Sequence, residues 1–185
     1  PGTPPLDNRL ENFVRGTKLG TRGVLDLYPG PAGQATMAFL QPIFAVQGDN
    51  QAADQVGAIL GIRLVDDDLF QHLEQPGETL KSGQTYLVRK SGATVQYLSP
   101  LADGTAALKR SLALDTHRLA AAGLLEHIGG FGIFANYLGN EVVATSRGIQ
   151  GLPWTLIRSV DRTEALAVSD RRQMILLIGL WLVIA

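Results

Sequence analysis

Apolar positions along this chain alternate with polar ones over several short stretches and fall at helical spacing over others, predicting strands interrupted by a few helices. Asp7-Asn8 caps a short helix carrying Leu10, Phe13 and Val14, and glycines at 16, 20 and 23 end it. Arg22 to Tyr28 predicts a strand closed by Pro29-Gly-Pro-Ala-Gly33, a turn no helix crosses. Ala35 to Val46 predicts a second strand, in which Pro42 argues for an edge or a bulge. A third, Val56 to Val65, is apolar on both faces except at Arg63. These make a three-strand meander. Asp66-Asp67-Asp68 then begins a helix through Leu69, Phe70 and Leu73, ended by Pro76-Gly77.

The second half is longer. Gly83 to Arg89 and Ala93 to Leu98 predict a hairpin around Lys90-Ser-Gly92. Thr105 to Ile128 has helical spacing of Leu108, Leu112, Leu119, Leu124 and Ile128, with a break near Asp115-Thr116. Phe131 to Leu138 and Glu141 to Ile149 predict another hairpin, turned at Gly139-Asn140, where positive φ is tolerated. After Gly151-Leu-Pro153 comes a strand with Trp154, Leu156, Arg158 and Val160 on one face and Thr155, Ile157 and Ser159 on the other. Asp161 then caps a helix from Thr163, with Glu164 completing the capping pair, and the same register continues through Arg171-Arg172 into the apolar run Met174 to Ala185.

Composition narrows the functional classes. Hydrophobic residues at 45% and charged ones at 18% are the balance of a globular chain. A formal charge of −1, with no basic cluster interleaved with aromatics, argues against nucleic acid as a partner. With no cysteine there are no disulfides and no thiolate metal sites. The terminal apolar run is shorter than the roughly 20 residues that span a bilayer, yet it is apolar all round, and only Trp181 carries a polar side-chain atom. It is expected to be the start of a transmembrane helix, the alternative being a buried C-terminal core helix. The first residue is Pro1, so both ends are expected to be cuts in a longer protein.

Catalytic chemistry is sparse. His72, His117 and His127 are far apart and at no metal-ligand spacing, and neither a nucleophile elbow nor a dinucleotide fingerprint is present. Helix capping accounts for the acidic triplet at 66–68, which lacks the spaced ligands and glycine of a calcium loop. No enzyme, cofactor or metal is expected.

Two strands, a helical segment and a three-strand meander is the order of a PAS-like domain, and two such units leading into a membrane helix resemble the double Cache extracytoplasmic sensor domain. The residues carrying the resemblance are Val56 to Leu69, Gly83 to Val88, Asn136 to Ala144 and Gly151 to Asp161. It covers the chain from about Arg9 onward. The implied fold is α+β, with two PAS-like antiparallel-sheet units in series, the first truncated at its N-terminus, followed by the start of a transmembrane helix. Its divisions are 1–75 (membrane-distal), 76–160 (membrane-proximal) and 161–185 (exit helix). The resemblance further implies a periplasmic region of an inner-membrane receptor, a homodimer, feeding a histidine kinase, a diguanylate cyclase or phosphodiesterase, or a chemoreceptor. The alternative is a structural or dimerisation module that binds no small molecule.

Many double Cache domains that bind amino acids carry Arg-x-x-Trp-Tyr before the distal meander, a Tyr on its first strand and an Asp on its last. This chain keeps Arg9, replaces Trp with Asn12 and Tyr with Phe13, keeps Tyr28, and has Arg63 at the Asp position. A guanidinium there repels an α-ammonium, so the resemblance points away from amino acids. Arg9 and Arg63 together suit a carboxylate ligand, while the plainer account pairs Arg63 with Asp26 or another carboxylate and packs Tyr28 in the core. In the proximal unit Tyr86, Tyr97, Tyr137 and Arg147 offer aromatic walls and a cationic anchor, against the plainer account of cross-strand packing.

Overall fold

A computed structural model describes residues 7–46, 54–65, 68–73, 77 and 79–167. The chain divides into two compact units, Pro1–Leu69 and Phe70–Ala185. The expected apolar helix over 174–185 lies outside the described residues. Among those residues no helix is long and apolar enough to cross a membrane.

The first unit is a helix on a meander. In α1 (Asn8–Gly16) the Asp7 carboxylate accepts from Arg9 N–H at 3.4 Å, and Thr17 closes the helix by donating its N–H and its hydroxyl to Phe13 O. Strands β1 (Gly23–Pro29), β2 (Ala35–Phe44) and β3 (Gln55–Leu64) follow, in spatial order β1-β2-β3. Leu10 buries against Tyr28 and Ala38, with Phe13, Leu25 and Leu60 around them. Each large apolar side chain buried there is worth about 1.5–3 kcal/mol.

Pro42 sits in the central strand, yet the reading of an edge holds locally. The β1 ladder begins at Gly23, opposite Leu40, so β2 runs past it, and Pro42 is paired only with Ala58 of β3. Strand β3, apolar on both faces except at Arg63, is open: Val56, Ile59, Ile62 and Leu64 are 70%, 59%, 54% and 59% exposed. One helical turn, α2 (Asp68–Gln71), comes after it.

The second unit is one six-stranded antiparallel sheet. Strands β4 (Gln84–Ser91), β5 (Thr94–Tyr97), β6 (Ser111–Ala113), β7 (Phe131–Ala135), β8 (Glu141–Gly148) and β9 (Thr155–Asp161) lie in the order β6-β5-β4-β9-β8-β7. The first and last long strands are therefore central neighbours, paired from Gln84↔Ser159 to Val88↔Thr155. Helix α3 (Ala120–Glu126) covers one face. Its Ala120, Ala121 and Ala122 are small enough for close approach, and Leu119 and Leu124 fill the space between them and Tyr86, Val88, Val95, Tyr97, Val142, Ala144 and Ile157.

Three sequence expectations change in this unit, and one choice of face that the alternation left open is settled. Thr105 to Ile128 is not one broken helix. Leu108 adopts φ 64 and Arg118 φ 54, values no helix contains, and Ser111–Ala113 pairs with β5 as a strand. The hairpin strand ends at Ala135, because Asn136 Oδ1 accepts from Leu138 and Asn140 N–H and so closes the turn itself, with Gly139 at φ 88. On β9 the face that turns inward is Thr155, Ile157 and Ser159. Finally, Asp161 closes the strand, and α4 (162–167) follows. Glu164 does not reach back to Asp161 but accepts from Lys81 N–H and Ser82 N–H, both at 2.8 Å, and from the Ser82 hydroxyl. Ser82 Oγ in turn accepts from Asp161 N–H at 3.0 Å, which ties the start of β4 to the junction of β9 and α4.

Candidate ligand-binding site

Cross-strand partners share a face, so the register sorts the candidate side chains. In the first unit Tyr28 is opposite Thr36, which is opposite Leu64, while Arg63 is opposite Met37 on the other face. The structure brings Arg9 to Tyr28, with the guanidinium carbon 5.1 Å from the ring centroid, and places Phe13 against the same cluster. Burial, and next the charge of Asp7, raise the Tyr28 hydroxyl, while Arg9 pulls it down. It does not bring Arg63 to them: Arg63 is exposed on the opposite face of β3. This half therefore offers a cation stacked on a tyrosine, not two converging guanidinium groups.

In the second unit Tyr86, Val88, Val95, Tyr97, Ile157, Ser159, Ala144 and Ser146 fall on the face covered by α3. Tyr86 is 0% and Tyr97 1% exposed. Tyr137, from the turn after β7, completes a triangle of rings with centroids 5.6, 6.0 and 5.7 Å apart, two of the three contacts being edge-on. Arg147, the cation expected here, is exposed on the other face, opposite Leu156.

The cation that does arrive is Arg110. Leu108 N–H donates to Tyr97 O at 3.1 Å and Tyr97 N–H to Arg110 O at 3.0 Å, so the chain after β5 turns back along it and sets Arg110 beside Tyr97. The guanidinium carbon lies 5.0 Å from the Tyr137 centroid, and Nη2 meets Asp103 Oδ2 at 2.7 Å. Asp103 also accepts from Thr105 N–H at 3.0 Å; Thr105 first, and Arg110 less, hold its carboxyl below the usual carboxylate range. Reading 105–128 as a helix hid this residue. The available signal was Lys109-Arg110 followed by a Ser-Leu-Ala segment able to pair with Thr94-Val95-Gln96.

Polar atoms here divide into satisfied and orphaned. Tyr137 Oη donates to Gln84 Oε1 at 2.7 Å. Tyr86 Oη, Tyr97 Oη and Arg110 Nη1 are buried and have no hydrogen-bond partner among the described residues. Burial raises the Tyr86 and Tyr97 hydroxyls well above the usual phenol value, keeping both protonated as donors; neighbouring Ser159 opposes this at Tyr86 and Arg110 at Tyr97. The Ser159 influence on Tyr86 does not amount to a bond of acceptable geometry. An unpaired buried hydroxyl costs about 1–3 kcal/mol, and here one of the two, on Tyr97, feels the charge of the incompletely bonded Arg110 guanidinium.

A concave surface lies beside the β8–β9 end, lined by Asn140, Glu141, Asp161, Arg162, Thr163 and Leu166. Glu141 there is held by Arg162 at 2.8 Å and Arg118 at 3.2 Å, which keep its carboxyl below the usual range, so its charges answer one another. No cluster of histidine and acidic side chains able to hold a metal occurs among the described residues.

No protein-family pattern matches the chain, and no curated protein matches it in sequence. Solved structures do. It is similar to the ligand-binding domain of the Pseudomonas aeruginosa PAO1 amino acid chemoreceptor PctB in complex with L-Arg, with TM-score 0.53 and 20% identity, over 93% of this chain and 63% of that one. The periplasmic sensory domain of the Campylobacter jejuni chemoreceptor Tlp1 is similar at TM-score 0.54 and 16% identity, over 85% and 55%. The extracellular domain of mmHK1S-Z2, a protein taken for a histidine kinase, is similar at 0.52 and 18%, over 88% and 59%. The chain thus spans about 55–63% of the length of these structures. The likeness establishes the fold: a mixed α+β fold with antiparallel sheets, shared with these periplasmic and extracellular domains and in keeping with the sequence resemblance.

Proposed function

We propose that the chain is the extracytoplasmic ligand-sensing region of a bacterial transmembrane signalling receptor, of the histidine kinase, diguanylate cyclase or phosphodiesterase, or chemoreceptor kind. In this reading Pro1–Leu69 is part of a membrane-distal PAS-like unit and the second unit is membrane-proximal. The 162–185 segment leads to an inner membrane, and the receptor works as a homodimer. The observation that carries it is the group of orphaned donors, Tyr86 Oη, Tyr97 Oη and Arg110 Nη1, inside the core of a fold shared with sensory domains. A purely structural core gains nothing from such atoms, whereas a bound acceptor would satisfy them.

Transmission follows from connectivity. Gln84 and Tyr86 belong to β4, and Ser82, two residues before Gln84, is joined to Glu164 of α4 and to Asp161 of β9. A ligand that prefers one placement of β4 against β9 therefore favours one placement of α4, provided its affinity for the two placements differs. A thermal-shift screen of metabolites tests the reading: a ligand at one hundred times its dissociation constant stabilises by about 2.7 kcal/mol.

The second reading, a dimerisation module without a small-molecule ligand, is favoured by the exposed apolar positions Val24, Phe39 and Ile59 of the first sheet, 52%, 42% and 59% exposed. Concentration-dependent dimerisation with no thermal shift from any compound would select it over the first.

A further inference from the structure

We infer that the free edge of β3 is a self-recognition surface, through which two copies of the chain pair antiparallel about a twofold axis at Leu60 and join their three-stranded sheets into one. This names the contact behind the homodimer of either reading above and rests on that dimer. The other sheet edges are guarded. Strand β1 is irregular between Leu25 and Tyr28, where the Leu27 N–H donates to Asp26 Oδ1 at 2.6 Å. Strand β6 has three residues. On β7 the Ala135 N–H donates to Arg118 O at 2.7 Å, and Arg118 Nη2 donates to Ile133 O at 3.5 Å. Strand β3 has no such guard: it runs from Gly57 to Leu64 in unbroken register, holds one charge, Arg63, and among the described residues pairs with β2 alone.

Main-chain direction decides what this edge offers. Val65 N–H donates to Ala35 O at 3.0 Å, and along an antiparallel ladder bonded pairs alternate with unbonded ones. Arg63, Gly61, Ile59 and Gly57 therefore turn their N–H and C=O groups to β2, while Ala58, Leu60, Ile62 and Leu64 turn theirs outward. Pro42, with no N–H to give, sits opposite Ala58 as this parity requires. Only registers that set outward residues against outward residues can bond, and the one centred on Leu60 also matches large side chains to small. Ile62 meets Ala58 of the second copy, Leu64 meets Val56, Ile59 meets Gly61, and Arg63 meets Gly57. A Cβ at Gly57 would meet nothing within 4 Å, and one at Gly61 only Phe39 O at 4.0 Å, so both leave room for the side chain opposite. Ile62 and Ala58 exchange both hydrogen bonds, as does Leu60 with its own image. Pairing also takes the exposed Val56, Ile59, Ile62 and Leu64 side chains out of water. A slip of two residues sets Arg63 against Ile59 in one direction and Leu64 against Asp54 in the other. The contact is isologous and closes on itself, because the joined sheet ends in two guarded β1 strands.

The test is analytical ultracentrifugation of the chain over a wide range of concentration. A reversible monomer–dimer equilibrium with no larger species is expected. Ala58→Pro removes an outward N–H and no bond to β2, so it should weaken the dimer roughly tenfold or more, yet melt as the unaltered chain does when dilute. Val24→Thr changes a position about as exposed as Ile62 but on β1 and on the other face of the sheet, and should dimerise as the unaltered chain does. Because the chain has no cysteine, disulfides report the register. Ala58→Cys mixed with Ile62→Cys should cross-link on mild oxidation, since bonded partners lie about 5.5 Å apart at Cα, within disulfide reach. Either variant alone should cross-link far less, its two sulfurs being about 13 Å apart along the strands. The cross-link carries the test if Ala58→Pro does not fold. A dimer untouched by Ala58→Pro, equally weakened by Val24→Thr, or cross-linked as readily by one cysteine variant as by the mixture would overturn the β3 pairing and leave the homodimer standing. Monomers at every concentration would remove both, while the sensing role is judged separately by the metabolite screen.

Discussion

Tyr97→Phe and Tyr137→Phe delete the same atom from neighbouring rings, and their effects on stability are expected to have opposite signs. Tyr97 Oη is buried with no partner among the described residues, so the folded state carries its desolvation without compensation. Phenylalanine keeps the ring, with its 5.6 and 5.7 Å contacts, and removes that cost, for a gain of about 1 kcal/mol and at most about 3. Tyr137 Oη instead donates to Gln84 Oε1 at 2.7 Å, and its loss also leaves that amide oxygen bare. A cost of about 1–2 kcal/mol follows. The two variants should therefore differ by roughly 2–3 kcal/mol. With a urea m-value of about 2 kcal/mol/M, that separates their midpoints by roughly 1 M at unchanged slope. Ligand-free protein must be used, because a bound acceptor reverses the sign at Tyr97. Equal destabilisation by the two changes would mean that Tyr97 Oη is satisfied in the free protein, and the argument from orphaned donors would fail.

Three further outcomes are expected. The Glu164 carboxyl lies below its ordinary value because it accepts from Ser82 Oγ, Ser82 N–H and Lys81 N–H. Its contribution is thus present above the unfolded glutamate pKa of about 4.3 and is lost as pH falls through the depressed folded value; Glu164→Gln should lower the urea midpoint at neutral pH and converge with the unaltered chain in acid. Ile157, 0% exposed on β9 between Tyr86 and Ser146, should cost about 2–5 kcal/mol as Ile157→Ala and about 0.5–1.5 as Ile157→Val, read from the same denaturation curves. Gly139→Ala should cost about 1–2 kcal/mol although a Cβ there meets nothing within 4 Å, since φ is 88; calorimetric melting checks it, and no loss would mean the turn re-forms with another conformation.

The order of strands was legible because alternation and glycine turns are local signals: Gly92 at φ 59 and Gly139 at φ 88 mark the two hairpins of the second sheet. What could not be read was parity between strands. Tyr86 and Arg147 each announce a side, but only the ladder through Leu156 shows that Arg147 faces away from Tyr86; likewise Met37 and Thr36 separate Arg63 from Tyr28. The Thr155-Ile157-Ser159 face looks like the poorer candidate for burial beside Trp154, Leu156 and Val160, and it turns inward where the tyrosine hydroxyls lie. Arg110 was missed for a different reason. Leu108 and Leu112 stand four apart by coincidence, one at a positive-φ corner and the other in a three-residue strand that pairs with β5.

Strand β3 has one last implication. Its outer main-chain groups form an edge of the first sheet, its Val56, Ile59, Ile62 and Leu64 side chains are open to solvent, and within Gln55–Leu64 the only formal charge is Arg63. Ten residues of this kind are a template on which a second extended chain can zip, so Arg63 serves as gatekeeper against ribbon-to-ribbon growth whatever else it does. Neutralising it should turn concentrated solutions of the chain turbid long before the fold itself is weakened.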